Sequence, residues 1–136
     1  MKTNTDMTIY NKYVVAGVET YKRTQIIAVQ WENRKGANVL RTGGTTAADQ
    51  VAVFIPWARG ANYLKPKAWQ ALADKTGKWT LQVGDFIVKG LVADEIGPGF
   101  LMSALKAKYD DVLAITSIDT MDQGSQVLWH WQLGAK

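Results

Sequence analysis

The sequence predicts a mainly β fold: a small antiparallel β-barrel or sandwich with a long loop and one or two short helices. Three observations carry that expectation. Apolar and polar residues alternate with period two in several short runs, as in TQIIAVQWE from Thr24 to Glu32. Turn residues such as Gly17, Gly84-Asp85 and Gly124 separate those runs at hairpin-like spacing. Helical spacing of apolar residues is confined to two short stretches, so an alternating α/β fold is not supported.

Taken in order, Met7 to Val15 and Tyr21 to Trp31 read as the two strands of a hairpin turning at Gly17. Within the second strand, Ile26, Ala28 and Gln30 point one way and Ile27, Val29 and Trp31 the other, which places the second row on the core. The pattern then stops: NRKGANVLRTGGTTAADQ is rich in glycine and small polar residues, and is expected as a long projecting loop at about 33–50 with a brief extended piece at Asn38 to Arg41. QVAVFIPWA is a core strand closed by Pro56, which cannot donate to a ladder.

PKAWQALADKTG reads as a short helix, with Pro66 at its first position, Trp69 and Leu72 on one face, and Gly77 at its end. KWTLQVGDFIVKG supplies two strands, Trp79 to Val83 and Phe86 to Lys89, around the Gly84-Asp85 turn. FLMSALKAKY is a second short helix. The last piece is a hairpin: Val112 to Thr120, a turn at Met121-Asp122-Gln123-Gly124, and a return from Ser125 to Leu133 that puts Val127, Trp129, Trp131 and Leu133 on one face and His130 on the other.

All 136 residues fit one barrel-like domain, 1–136. Net charge is +4, without a polybasic tract, which permits contact with a polyanion and does not demand it. Cysteine is absent, which removes disulfides, thiolate nucleophiles and thiolate metal sites together. The start, MKTNTDMTIYNKY, has no apolar run before a cleavage site, and the longest apolar run, VAVFIPWA, is far shorter than a membrane span. Synthesis in the cytoplasm and no membrane partner are therefore expected.

The search for chemistry gives no catalytic residue. His130 is the lone histidine, and neither Ser125 nor Asp122, both in the turn, stands at a spacing that would assemble an acid–base set with it. One histidine and scattered carboxylates give no metal-ligand pattern, and RTGGTTAAD lacks both phosphate-binding fingerprints. The expectation is a protein that is not an enzyme, with no cofactor and no metal. Six tryptophans are many for this length. Trp31, Trp57, Trp129 and Trp131 are read as core or subunit-interface aromatics, the competing reading being the stacking platform of an OB-like module that binds single-stranded nucleic acid.

Four segments, MTIYNKY, QVAVFIPW, KWTLQVGDFIVKG and DDVLAITSIDTMDQGSQVLWHWQLGAK, resemble small virion-assembly proteins encoded in the head–tail connector region of tailed bacteriophages and of prophages in Gram-positive bacteria, most closely the head-closure (stopper) type. Gly84, Asp85, Ile87 and Gly90 match that family's GDxIxxG turn, and Val112 to Leu133 its final hairpin. The resemblance implies a β-barrel subunit in a homo-oligomeric ring between portal or adaptor and tail, located in the virion after synthesis in the host bacterial cytoplasm. It also implies that the 33–50 loop projects towards the central channel. Arg34, Lys35 and Arg41, hinged by Gly43 and Gly44, would then face packaged double-stranded DNA or neighbouring loops. Minor capsid and tail-completion proteins share the same signatures, and stand beside the stopper as alternative roles.

Overall fold

A two-residue turn starts the architecture. Ala16 and Gly17 both have positive φ, 50° and 79°, the conformation that lets a tight hairpin follow the right-handed twist of its strands. They join β1 (Thr5–Val15) to β2 (Val18–Asn33). The computed structural model describes residues 3–33, 37–39, 45–47 and 51–136. Beyond β2 it contains β3 (Ala37–Val39), β4 (Thr45–Ala47), β5 (Val51–Pro56), α1 (Pro66–Gln70), β6 (Phe86–Lys89), α2 (Met102–Lys108), β7 (Val112–Met121) and β8 (His130–Ala135).

Six strands close an antiparallel barrel in the order β1-β2-β5-β8-β7-β6, with β6 returning to β1. Closure removes the free sheet edges that would otherwise template pairing. The expected mainly β barrel is thus the observed fold. A separate antiparallel ladder pairs β3 with β4, inside the stretch expected as a loop. Because every barrel neighbour is antiparallel, β1, β5 and β7 run one way and β2, β6 and β8 the other. The β1–β2 tip, the exit of β5 and the β7–β8 connection therefore fall at one end of the barrel. The β2–β5 connection starts and finishes at the other.

The barrel interior is filled by Met7, Ile9, Ile26, Val29, Trp31, Val53, Ile55, Ile87, Ile115, Trp131 and Leu133. The connection from β5 to β6 crosses the first end of the barrel and buries Trp79 and Leu81 there as a lid on the same core. A second, smaller core lies on the outer face of the wall, where Tyr10 and Val88 meet Val92 and Leu105 of α2. Hence β1 is buried on both faces from Met7 to Asn11, although alternation alone would leave one face to solvent.

Four sequence expectations change. First, Ile26 is buried and Ile27 exposed, because Ile27 and Ala28 form a bulge opposite Asp6 that shifts the side-chain phase by one; only Val29 and Trp31 of the expected row face inward. Second, Trp79 to Val83 is not a strand. Thr80 makes its backbone contacts with a side chain instead of a ladder: its N–H donates to Asn11 Oδ1 at 3.1 Å and its carbonyl accepts from Asn11 Nδ2 at 2.8 Å.

Third, α1 ends at Gln70, well before Gly77. Downstream, the Asp74 side chain accepts the Thr76 N–H at 3.0 Å, and this local turn competes with helix continuation. Fourth, the return strand of the last hairpin begins at His130, not Ser125. The Leu128 and Trp129 N–H groups bond three residues back, to Ser125 and Gln126, so Gln126–Leu128 is a 3-10 turn and Val127 leaves the core face.

Candidate interaction surface at one barrel end

The site is built where β5 leaves the barrel. Pro56 is the last residue of that strand, opposite His130 of β8, and the Trp57 N–H that follows donates to the Trp129 carbonyl at 3.0 Å. That bond places Trp57, at the head of the 3-10 turn Trp57–Asn62, directly against the two tryptophans flanking His130. Trp57 stacks on Trp131 at 4.4 Å and 18°, and meets Trp129 edge-on at 5.3 Å and 87°. Tyr63 and Trp79 close on the other sides of Trp131 at 4.7 and 5.7 Å. Offset and edge-on pairs of this kind contribute about 0.5–1.5 kcal/mol each beyond area burial. The rim of the barrel is consequently stiff.

Gly60 fits this cluster because it has no side chain: a Cβ there would stand 2.5 Å from Cη2 of Trp131. Burial pushes the Tyr63 hydroxyl above its usual pKa, so this rim tyrosine stays neutral. Trp129 anchors through its indole N–H to the Gly124 carbonyl at 3.2 Å, which fastens the β7–β8 connection over the rim.

Two hollows flank Trp57. One, of 590 Å³, is lined by Gly60, Tyr63, Leu64, Lys65 and Trp131. The other, of 530 Å³, is lined by Pro56, Arg59, Gln126, Val127 and Trp129. Beside the second hollow Val127 and Leu128 are 81% and 62% exposed, an unusual state for two consecutive aliphatics. At the same end, the tip of the first hairpin shows Val14, Val15 and Val18 to solvent.

That hairpin is an arm. β1 pairs with β6 only from Met7 to Tyr10, and β2 with β5 only from Gln30 to Asn33, so the residues nearer the tip pair only with each other. The base of the arm is locked to the lid by a buried polar network. Asp85 Oδ2 accepts from Asn11 Nδ2 at 2.9 Å and Gln82 Nε2 at 2.8 Å, and its Oδ1 accepts the Lys12 N–H at 3.1 Å. Burial nonetheless pushes the Asp85 carboxyl above the ordinary carboxylate range, against those donors. On the outer face, Asp94 accepts from the Tyr109 hydroxyl at 2.6 Å and from Lys108 at 3.0 Å, which lowers its pKa and fastens the end of α2 to the irregular segment between β6 and α2.

The four tryptophans singled out in the sequence divide. Trp31 and Trp131 are core residues, whereas Trp57 and Trp129 are half-buried on the rim. Trp57, Trp129 and Trp131 are brought together, and Trp31 stands apart from that stack. His130 faces away from the core, against Phe54 at 5.7 Å, and its Nδ1 lies 2.8 Å from the Leu128 carbonyl, which can only accept. Arg34, Lys35, Arg41, Gly43 and Gly44 lie outside the described residues. Sequence reasoning missed Tyr63, Trp79 and Arg59 as site residues, and missed the Asn11–Asp85 pair. Asn11 at an inward-alternating position after Met7 and Ile9 was the available signal for the pair; nothing in the local pattern marked Arg59.

Fold and site together define a small closed β-barrel protein with an apolar, aromatic surface at one rim and an exposed hairpin arm beside it. The chain belongs to DUF6751, a family of unknown function, whose profile matches residues 2–136. No curated protein and no solved structure matches the chain.

Proposed function

We propose that this chain is a structural subunit of a tailed-phage virion, forming a homo-oligomeric ring of the head-closure (stopper) type in the head–tail connector, with portal or adaptor proteins on one side and tail proteins on the other. It acts by assembly and not by catalysis, and reaches the virion from the host bacterial cytoplasm. The observation that carries this reading is the arm: a closed barrel whose first hairpin extends past its neighbours and ends in three exposed valines. The closed part of the barrel offers no strand edge, so association falls to the arm that projects from it and to the apolar side chains at its tip.

The rim tryptophans support the same reading. Trp131 is buried, with Trp57 stacked on it and Tyr63 tilted against it, as in a rigid docking platform, whereas a base-stacking platform needs ring faces open to the nucleic acid. β2 ends and β5 begins at the end of the barrel opposite the arm, and this division suits a subunit with lateral contacts at one end and, in the loop at about 33–50 with Arg34, Lys35 and Arg41, a channel-facing, DNA-contacting role.

Native mass spectrometry of the purified chain, with negative-stain imaging of large species, tests the proposal. Closed rings are the expected outcome. A monomer at high concentration that binds single-stranded oligonucleotide with a steep salt dependence would replace this reading with the nucleic-acid-binding one.

A further inference from the structure

The arm carries an exposed carboxylate beside exposed valines and the Arg59 hollow a guanidinium beside apolar side chains, and they are different surfaces of one chain. Arg59 lines the 530 Å³ hollow between Trp57 and Trp129. Its Nε is buried without a hydrogen-bond partner, and its guanidinium meets no carboxylate among the described residues. A planar guanidinium is built to hold a carboxylate through two parallel N–H bonds, so this hollow is prepared for an acidic group flanked by apolar ones.

The arm offers that combination. Val18 is 66% exposed, and the next residue is Glu19. Among the described residues the Glu19 carboxylate has one ion pair, with Lys12 at 3.4 Å, and the Lys12 and Glu19 side chains are 46% and 63% exposed. An exposed pair of this kind contributes little to stability and exchanges partners readily.

We infer that Val18 and Glu19 at the arm tip of one copy dock into the Arg59 hollow of the next, with the Glu19 carboxylate on the Arg59 guanidinium and Val18 against Val127 and Trp129. The contact buries the exposed aliphatics of both partners and gives the Arg59 guanidinium the carboxylate that it lacks among the described residues. Because the two surfaces differ, the contact is heterologous and repeats head to tail, closing a ring where the rotation between neighbours divides a full turn. This names the lateral interface within the assembly reading above and rests on it.

The chain has no cysteine, so an introduced pair can be linked without background thiols. Under mild oxidation the E19C/R59C double variant is expected to give a ladder of covalent multimers, while E19C and R59C alone stop at dimers; peptide mapping of mixed single variants should find the 19–59 link. In parallel, Glu19→Arg should weaken association roughly tenfold and the reciprocal E19R/R59E variant should restore it. Wild-type rings together with no 19–59 link in the cysteine variants, or a reciprocal variant no better than Glu19→Arg, would overturn this contact and leave assembly standing. A wild type that stays monomeric, with no link in the cysteine variants, would reject the contact and the assembly reading together. Melting curves matching the wild type confirm that each variant is folded before its result is read.

Discussion

Asp6 Oδ1 accepts the backbone N–H of Ala28 at 2.9 Å, across the bulge that decides which residues of β2 face the core. The bulge leaves that N–H without a ladder partner, and Ala28 sits at φ 56°, a left-handed conformation costly for an L-residue with a side chain. Asp6→Ala should therefore destabilise the fold by roughly 1–3 kcal/mol through the orphaned donor, while Asp6→Asn, which keeps an acceptor oxygen, should cost much less. Ala28→Gly should be neutral to stabilising by up to about 1 kcal/mol, since relief of strain outweighs the greater entropy of an unfolded glycine. Urea unfolding of the three variants checks the set; equal losses from Asp6→Ala and Asp6→Asn would show that the bulge does not depend on this bond.

Gly60 is held against Trp131 by sterics alone. Its φ is not in the left-handed region, so an added methyl meets the indole and nothing else. That indole is clamped by Trp57, Tyr63 and Trp79 and has nowhere to move. Overpacking should make Gly60→Ala destabilising by roughly 1–3 kcal/mol. Trp131→Phe removes the clashing Cη2, so the added cost of Gly60→Ala should largely vanish in that background. Additive losses in the double-mutant cycle would contradict the contact.

These two sites also show how far the sequence could be read. Strand identity was legible because its signals are local: the core of β2 appears from period two, Val51–Pro56 from a run of β-branched and aromatic residues closed by proline, and Met7–Val15 and Phe86–Lys89 from the turn residues beside them. Phase was not. A bulge at Ile27-Ala28 moves Ile26 inward, and a second in β7, between Ile115 and Ser117, makes Ile118 the next residue packed against the core. These bulges are set by pairing between residues far apart in the chain, such as Met7 with Ile26 and Ser117 with Gly134, which no local window records. The rim site was half legible. Trp57, Trp129 and Trp131 stood out by type, but their meeting depends on the Trp57 N–H reaching Trp129 across strands far apart in the chain. The buried Asn11–Thr80 contact hid a lid segment that alternation presented as a strand.

Asp85 gives the fold a dependence on pH. Burial raises its folded pKa above the ordinary 3.8, so the folded state holds the proton more tightly than the unfolded chain. Its favourable contribution is fully present below the unfolded value and is lost as pH rises through the folded one. The stability difference between wild type and Asp85→Asn, which does not titrate, should accordingly fall in the wild type's disfavour across that window. Urea midpoints for both proteins at closely spaced pH values read this directly. A flat difference, or one that grows with pH, would mean that the Asn11, Gln82 and Lys12 donors outweigh burial.

Val14, Val15 and Val18 separate assembly from folding. All three are more than half exposed, and they lie on the part of the hairpin that pairs with neither β6 nor β5. Replacing each with threonine keeps the β-branched shape and the strand preference of the arm while adding a hydroxyl to its surface. Each change should move the unfolding free energy by no more than about 0.5 kcal/mol, as for surface positions without special roles. Assembly should respond differently. If these valines enter a neighbouring subunit, every one places an unpaired hydroxyl in an apolar contact, and the penalties recur at each interface of a ring. The triple variant should thus melt like the wild type yet shift the mass distribution towards monomer. A triple variant that assembles like the wild type would remove the arm as the contact, and one that unfolds would place these valines in a role that their exposure does not indicate.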